Sequence, residues 1–243
     1  LSISANSEEL EMVTYDYVNK SEDISMFHST TLSRSSMNIT PAYFPEEIGN
    51  EIEPFSIIGT DNRVKVSPTS YPYSAVMYLA LGQDTTGNGI ANSWGSGTGF
   101  MEGPDLMVTA GHCMWSGTYG WVEEMRVHYQ QNGSTKNSDY YYPLRWTLSS
   151  AYTNSLDYNY DWAVVTMQTN LGDLTGWFGK VTTEGSLANK GITVAGYPGD
   201  KPYYQSKASG TISRSDTYNC FYDADMKGGQ SGGTVYDLAI IHI

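Results

Sequence analysis

The 243-residue sequence predicts an all-β chain of sandwich or barrel architecture. Short runs rich in β-branched and aromatic residues recur after residue 56, and Gly, Asn, Asp and Ser turns separate them. With 25 glycines, 20 tyrosines and only 16% charged residues, and with no heptads or repeats, the composition favours strands over helices.

In chain order, residues 1–50 are polar and rich in Ser, Glu and Asn, so no core is expected there. Pro41-Ala42-Tyr43-Phe44-Pro45-Glu46-Glu47 reads as an extended linker. Strands are then expected at 74–81, 97–102, 106–110, 125–130, 161–168, 191–197, 210–213, 218–222, 233–236 and 239–243. Turns such as Glu102-Gly103-Pro104-Asp105 and Tyr197-Pro198-Gly199-Asp200 punctuate them.

The formal charge of −13 argues against nucleic acid as a partner, because phosphate binding depends on clustered lysine and arginine. The acidity is uneven: residues 1–55 carry −8 and the remainder −5, which suggests a separate role for the first segment. No apolar run approaches the 18 residues of a membrane-spanning helix. No Cys/His spacing suggests zinc and no glycine-rich phosphate loop is present, so no metal or cofactor is expected. Cys113 and Cys220 permit one disulfide or two thiols, and Cys113 reads best as a small buried hydrophobe.

Two motifs carry chemistry. Thr109-Ala110-Gly111-His112-Cys113 follows an apolar strand, and Gly228-Gly229-Gln230-Ser231-Gly232-Gly233 sets Ser231 119 residues beyond His112. A serine hydroxyl needs an imidazole to accept its proton and backbone N–H groups to hold the oxyanion. Glycine at 229 leaves its N–H free to converge with that of Ser231. Asp161, entering the buried run 162–167, is the carboxylate expected to orient His112; Asp157 and Asp173 lie in solvated turns. The serine run also matches the G-x-S-x-G elbow of α/β-hydrolases. That elbow requires a following helix, whereas Gly232-Gly233-Thr234-Val235 continues as a strand. His112 and Asp161 in one half and Ser231 in the other suit a cleft between two barrels.

The chain resembles the bacterial glutamyl endopeptidases of the trypsin fold over most of residues 56–243. The resemblance rests on Ser56-Ile57-Ile58-Gly59-Thr60-Asp61-Asn62-Arg63, the two motifs above, Asn159-Tyr160-Asp161, and Gly196-Tyr197-Pro198-Gly199-Asp200-Lys201, in that order. It implies two six-stranded antiparallel β-barrels with the catalytic cleft between them. Residues 1–55 would be a propeptide and 56–243 the protease domain of a secreted enzyme acting on polypeptides. The expected reaction is hydrolysis after glutamate, with His112, Asp161 and Ser231 catalytic and the N–H groups of Gly229 and Ser231 forming the oxyanion hole. The resemblance further assigns the amine of Ser56 and His242 to the glutamate pocket. Phe55 offers no acidic residue for self-cleavage and Glu53 precedes Pro54, so a separate activating protease, or trimming from Glu51, is expected.

Three departures accompany it. Met226 stands where the family places a threonine whose hydroxyl helps to bind glutamate. Gly97 stands where some members carry a cysteine that pairs with the one after the histidine. The chain stops at Ile243, where the family continues with a strand and a helix, so an incomplete second barrel and a fragment of a longer product are expected. Two rivals stay open: a trypsin-fold protease with a neutral pocket at Met226, and a latent or non-catalytic protease-like binding module.

Overall fold

The computed structural model describes residues 5–32, 57–133, 139–179, 186–216 and 218–237. In chain order the strands are β1 (Ala5–Asp16), β2 (Ser21–Leu32), β3 (Val64–Lys65), β4 (Val76–Gln83), β5 (Ser93–Met101), β6 (Leu106–Thr109), β7 (Trp115–Ser116) and β8 (Gly120–Trp121). They continue as β9 (Glu124–His128), β10 (Pro143–Ser149), β11 (Ala163–Met167), β12 (Gly191–Gly196), β13 (Ser206–Ser215), β14 (Cys220–Tyr222) and β15 (Thr234–Tyr236). Among the described residues helix is confined to short pieces such as α1 (Ser150–Ser155) and α2 (Gly172–Thr175). The all-β class is therefore as expected, and nine of the ten expected strands have a counterpart; the tenth, 239–243, lies outside the described residues.

The described residues form two large antiparallel sheets and a small β7-β8 pair. The first runs β2-β1-β10-β11-β6-β5-β4-β9, and its far strand β9 bridges back through Val127 to Tyr141, just ahead of β10. Six of its strands come from the body of the chain, and their inner faces bury Met77, Leu79, Met107, Trp146, Leu148 and Val165 completely. In β11 the alternation Ala163 and Val165 in, Val164 and Thr166 half out, is the period-two pattern of a strand with one covered face. The second sheet runs β14-β13-β12-β15, with β3 against β13, so five strands are described where six were expected. Its own core is small, built on Ile192, Val194, Ala208 and Ile212. A third cluster, including Val76, Tyr78, Ala80 and Tyr197, lies where β4 of the first sheet meets the second.

The expectation of no core in residues 1–50 is corrected. β1 and β2 form a hairpin in register from Ala5↔Leu32 to Asp16↔Ser21, and β1 then pairs with β10 from Met12↔Ser149 to Asp16↔Arg145. Tyr15, opposite Trp146, stacks on Trp121 and Trp146 at 5.2 Å from each ring. Lys20 at the hairpin tip meets Glu123 at 3.1 Å. The signal was present in Glu9-Leu10-Glu11-Met12, where exposed acids alternate with covered apolar residues, but a polar average over 50 residues hid it. The linker 41–47 lies outside the described residues. β10 was missed too, since Pro143 and Arg145 interrupt its apolar residues.

Candidate active site

Antiparallel pairing of β6 with β11 sets His112 beside Asp161. Thr109 at the exit of β6 faces Ala163 at the entrance of β11, so the turn leaving one strand and the turn entering the other lie side by side. His112 sits in the 3-10 turn Gly111–Cys113, and Asp161 caps the end of the turn Tyr158–Tyr160. One Asp161 carboxylate oxygen accepts from the His112 backbone N–H at 2.7 Å, and the other meets His112 Nδ1 at 2.7 Å. The double contact fixes both the position of the ring and the tautomer with the proton on Nδ1, which leaves Nε2 as a base. The imidazole keeps 37% of its surface exposed and the carboxylate 19%, so the ring stays partly open while its partner is largely covered. Burial lowers the histidine pKa, but the hydrogen bond that the ring donates to Asp161 and the neighbouring Cys113 outweigh it and hold the value above the ordinary histidine range. Asp157 has a structural task, capping the Tyr158–Tyr160 turn through Asn159 N at 3.0 Å.

The serine loop reaches the same place from the second sheet. Thr98 on β5 clamps it: its N–H donates to Ser231 O at 2.8 Å and its hydroxyl donates to Gly229 O at 2.9 Å while accepting from Tyr197 N at 3.0 Å. Thr109 Oγ1 donates in turn to Thr98 O at 2.7 Å. Cys113 Sγ lies 3.8 Å from Ser231 O, so the residue after the histidine touches the serine loop directly. Gly229 (φ +94°) and Gly232 (φ +77°) both hold left-handed backbone. A Cβ on Gly229 would meet Gly199 N and Tyr197 O at 2.8 Å, and one on Gly232 would run into Thr109 Oγ1, Thr98 O and Ala110 N. These glycines are therefore required by both conformation and space. Inside the loop Gln230 is fully buried, and its Oε1 accepts from Lys227 N at 2.9 Å.

The remaining motifs brace this centre. Gly199 N donates to Gly228 O at 2.7 Å, so the Gly196–Lys201 run backs the serine loop. Arg63, its side chain 1% exposed, forks onto Asp200 at 2.8 and 2.6 Å and onto Asp61 at 3.0 and 2.9 Å. Lys201 meets Asp61 at 3.3 Å and is thus ion-paired. Both carboxyls titrate below the usual range, chiefly through their bonds to Arg63. Sequence reasoning missed Asp225. This buried carboxylate accepts from Ile58 N at 2.6 Å and Asn62 N at 2.8 Å, tying the 57–62 segment to the residue before Met226. A lone aspartate carries no signal of such a long-range bond. Met226 packs beside the apolar cluster of the second sheet, and its Sδ accepts from the Tyr222 hydroxyl at 3.2 Å. Ser56 and His242 lie outside the described residues. Cys113 is buried, Cys220 is exposed and both are free thiols, in keeping with the reading of Cys113 as a small hydrophobe.

A model of the trypsin-like peptidase domain matches residues 97–239. A glutamyl endopeptidase of Bacillus licheniformis is 33% identical over 93% of this chain and 69% of its own length. An extracellular metalloprotease of Bacillus subtilis is 34% identical over 76% of the chain and 58% of its own length. Among solved structures, a Glu endopeptidase in complex with MPD matches with a TM-score of 0.65 and 28% identity, over 75% of this chain and 82% of that one. The protease Anisep of Arthrobacter nicotinovorans shares the fold, with a TM-score of 0.56 and 17% identity over 72% of this chain and 80% of its own. The metal in the name of the Bacillus subtilis relative has no matching donor set here: among the described residues no three His, Cys, Asp or Glu side chains gather as a catalytic zinc site requires. No helix among them is long and apolar enough to cross a membrane.

Proposed function

The chain belongs to the trypsin-like peptidase family and is a serine endopeptidase, and from that premise we propose that Ser231, His112 and Asp161 form its catalytic triad and that it cleaves after glutamate. The observation that carries the triad is the paired 2.7 Å contact of Asp161 with the ring and the backbone of His112, beside a serine loop clamped by Thr98. In this reading His112 Nε2 takes the Ser231 proton as the hydroxyl oxygen attacks the scissile carbonyl. The N–H groups of Gly229 and Ser231 receive the oxyanion. Collapse breaks the C–N bond, the imidazolium gives its proton to the leaving amine, and water repeats the sequence on the acyl-enzyme.

The glutamate preference is supported by the likeness to the Bacillus licheniformis glutamyl endopeptidase. The Asp225 bond to Ile58 N, which ties the start of the 57–62 segment to the residue before Met226, supports a role for the amine of Ser56. Methionine brings no hydroxyl, but the Tyr222 phenol already donates to its sulfur, and burial raises the phenol's pKa so that it stays a neutral donor. A second reading, a pocket for neutral side chains, is favoured by the apolar cluster around Met226. Residues 1–55 act as a propeptide removed by a separate protease, and the enzyme is secreted, in line with the name of the extracellular Bacillus subtilis relative.

The test has two parts. A fluorophosphonate should label Ser231, and Ser231→Ala should abolish labelling and lower turnover by on the order of a millionfold while keeping the fold. A folded, processed wild-type enzyme that takes no label would overturn the triad. Peptides differing only before the scissile bond should then favour glutamate over glutamine by about tenfold to a hundredfold, as a hydrogen-bonded charge of about 1.5–3 kcal/mol predicts. Equal rates would overturn the acidic preference and leave the peptidase standing.

A further inference from the structure

Gly228 and Gly229 share one peptide unit, and it is trans. In a trans peptide the carbonyl and the following N–H point in opposite directions, so whatever grips Gly228 O also aims Gly229 N–H. Gly199 N supplies that grip at 2.7 Å. A half-turn of this peptide would break the bond and swing Gly229 N–H away from the oxyanion position proposed above. The aim of one oxyanion donor therefore depends on where Gly199 is held.

Gly199 lies in a run pinned at both ends. At the front, Tyr197 N donates to Thr98 Oγ1 at 3.0 Å. At the back, Asp200 accepts two bonds from Arg63, at 2.8 Å from Nη1 and 2.6 Å from Nη2. Arg63 is itself set by its surroundings. Asp61 accepts from its Nε and Nη2 at 3.0 and 2.9 Å and from its backbone N–H at 3.0 Å. The residues that follow, Val64 and Lys65, pair with Lys207 and Ser206 of β13. The arginine side chain is 1% exposed, whereas those of Asp61 and Asp200 keep 37% and 41% of their surface in water. Carboxylates so open to solvent need no buried cation to neutralise them. What the buried fork supplies is direction, because a planar guanidinium bonds two carboxylates at once in a fixed geometry that an ammonium does not reproduce.

We propose that Arg63 is a positioning residue for the oxyanion hole: by fixing Asp200 it fixes Gly199, whose N–H keeps the Gly228–Gly229 peptide turned with Gly229 N–H toward the reacting carbonyl. The inference rests on the proposed roles of Ser231 and Gly229. It acts through backbone, from a side chain seven residues beyond Ser56, and is independent of which residue is preferred before the cleaved bond.

The experiment compares the processed wild-type enzyme with Arg63→Met, Arg63→Lys, Asp200→Ala and the Arg63→Met/Asp200→Ala double variant, on a peptide with the wild type's preferred residue before the bond. The readouts are kcat, KM and the inhibition constant of the matching peptide aldehyde, whose hemiacetal oxygen takes the oxyanion position. Outright loss of one oxyanion donor costs about a hundredfold to a thousandfold in kcat, so a donor misdirected part of the time should cost about tenfold to a hundredfold. Each single variant should lose kcat by about that factor, hold KM within about twofold, and bind the aldehyde more weakly in proportion. Arg63→Lys keeps the charge without the fork and should resemble Arg63→Met. The double variant should be no worse than the poorer single, because both substitutions cut the same chain of contacts.

A merely structural role would lower the melting temperature without separating kcat from KM. Wild-type kcat in folded Asp200→Ala overturns the proposal, and the openness of Asp200 to solvent keeps this arm decisive if the Arg63 variants do not fold. Unchanged aldehyde binding in a variant that has lost kcat overturns it as well. Failure of the wild type itself to take a fluorophosphonate would instead bring down the Ser231 reading, so the two failures are distinguishable.

Discussion

The two halves of the proposed reaction centre are held by different physics. His112 and Asp161 are fixed by polar contacts, a carboxylate gripping a ring nitrogen and a backbone N–H at the joined ends of β6 and β11. The serine loop is fixed by close approach: Gly229 and Gly232 let backbone lie against backbone where no Cβ fits, and Thr98 fastens the carbonyls on either side of Gln230. The first half sets protonation and orientation, so its substitutions should change chemistry more than stability. The second sets position by volume, so its substitutions should damage the fold and the chemistry together.

Asp161→Asn gives the largest effect expected on the polar side. Turnover should fall about ten-thousandfold, roughly 5.5 kcal/mol, with melting temperature nearly kept. The pH dependence supplies a second handle. Because Asp161 raises the His112 pKa, the neutral base is fully available only above that raised value, and wild-type activity should reach half its maximum above about pH 6.5, the ordinary histidine value. In Asp161→Asn that midpoint should move downward. A wild-type midpoint at or below pH 6.5 would contradict the electrostatic account of this pair.

Gly232→Ala attacks the steric side. With φ at +77° and the new methyl driven into Thr98 O and Ala110 N, it should cost about 3 kcal/mol or more of stability, read as a lower denaturation midpoint together with lost activity. A variant with native stability would show that the loop is not held by volume. Gly97→Cys tests the same packing with the opposite sign. A Cβ there would stand 2.9 Å from Cys113 Sγ, close to the about 3 Å between a Cβ and the far sulfur of a disulfide. The oxidised variant should titrate one free thiol, Cys220, and gain about 2–3 kcal/mol. Three titratable thiols after oxidation would show that β5 and the histidine turn lie farther apart than drawn.

The pattern of what the sequence disclosed follows this same division. His112, Asp161 and Ser231 could be put forward from the sequence because proton transfer and acyl transfer admit few residue types, and each lies at the end of a recognisable strand. The body strands were legible wherever β-branched runs were bounded by turns, as in β11 and β12. What stayed hidden was tertiary. Thr98 looks like any threonine in a glycine-rich strand until its three bonds to the serine loop and Tyr197 are seen, and Asp225 like any loop acid until Ile58 and Asn62 fold onto it. The β1–β2 hairpin was obscured because its buried residues share their segment with acids on the outer face.

That hairpin separates two events commonly treated as one. Cutting the backbone anywhere between residues 32 and 57 would sever a covalent tether, yet every ladder bond from Met12 to Asp16 along β10 and the ring of Tyr15 wedged between two tryptophans would persist. Departure of the proposed propeptide would then require peeling a strand off a sheet and wetting the fully buried indole of Trp146. Scission and release would run on independent clocks, the first set by whichever protease reaches the tether and the second by how often the seam breathes.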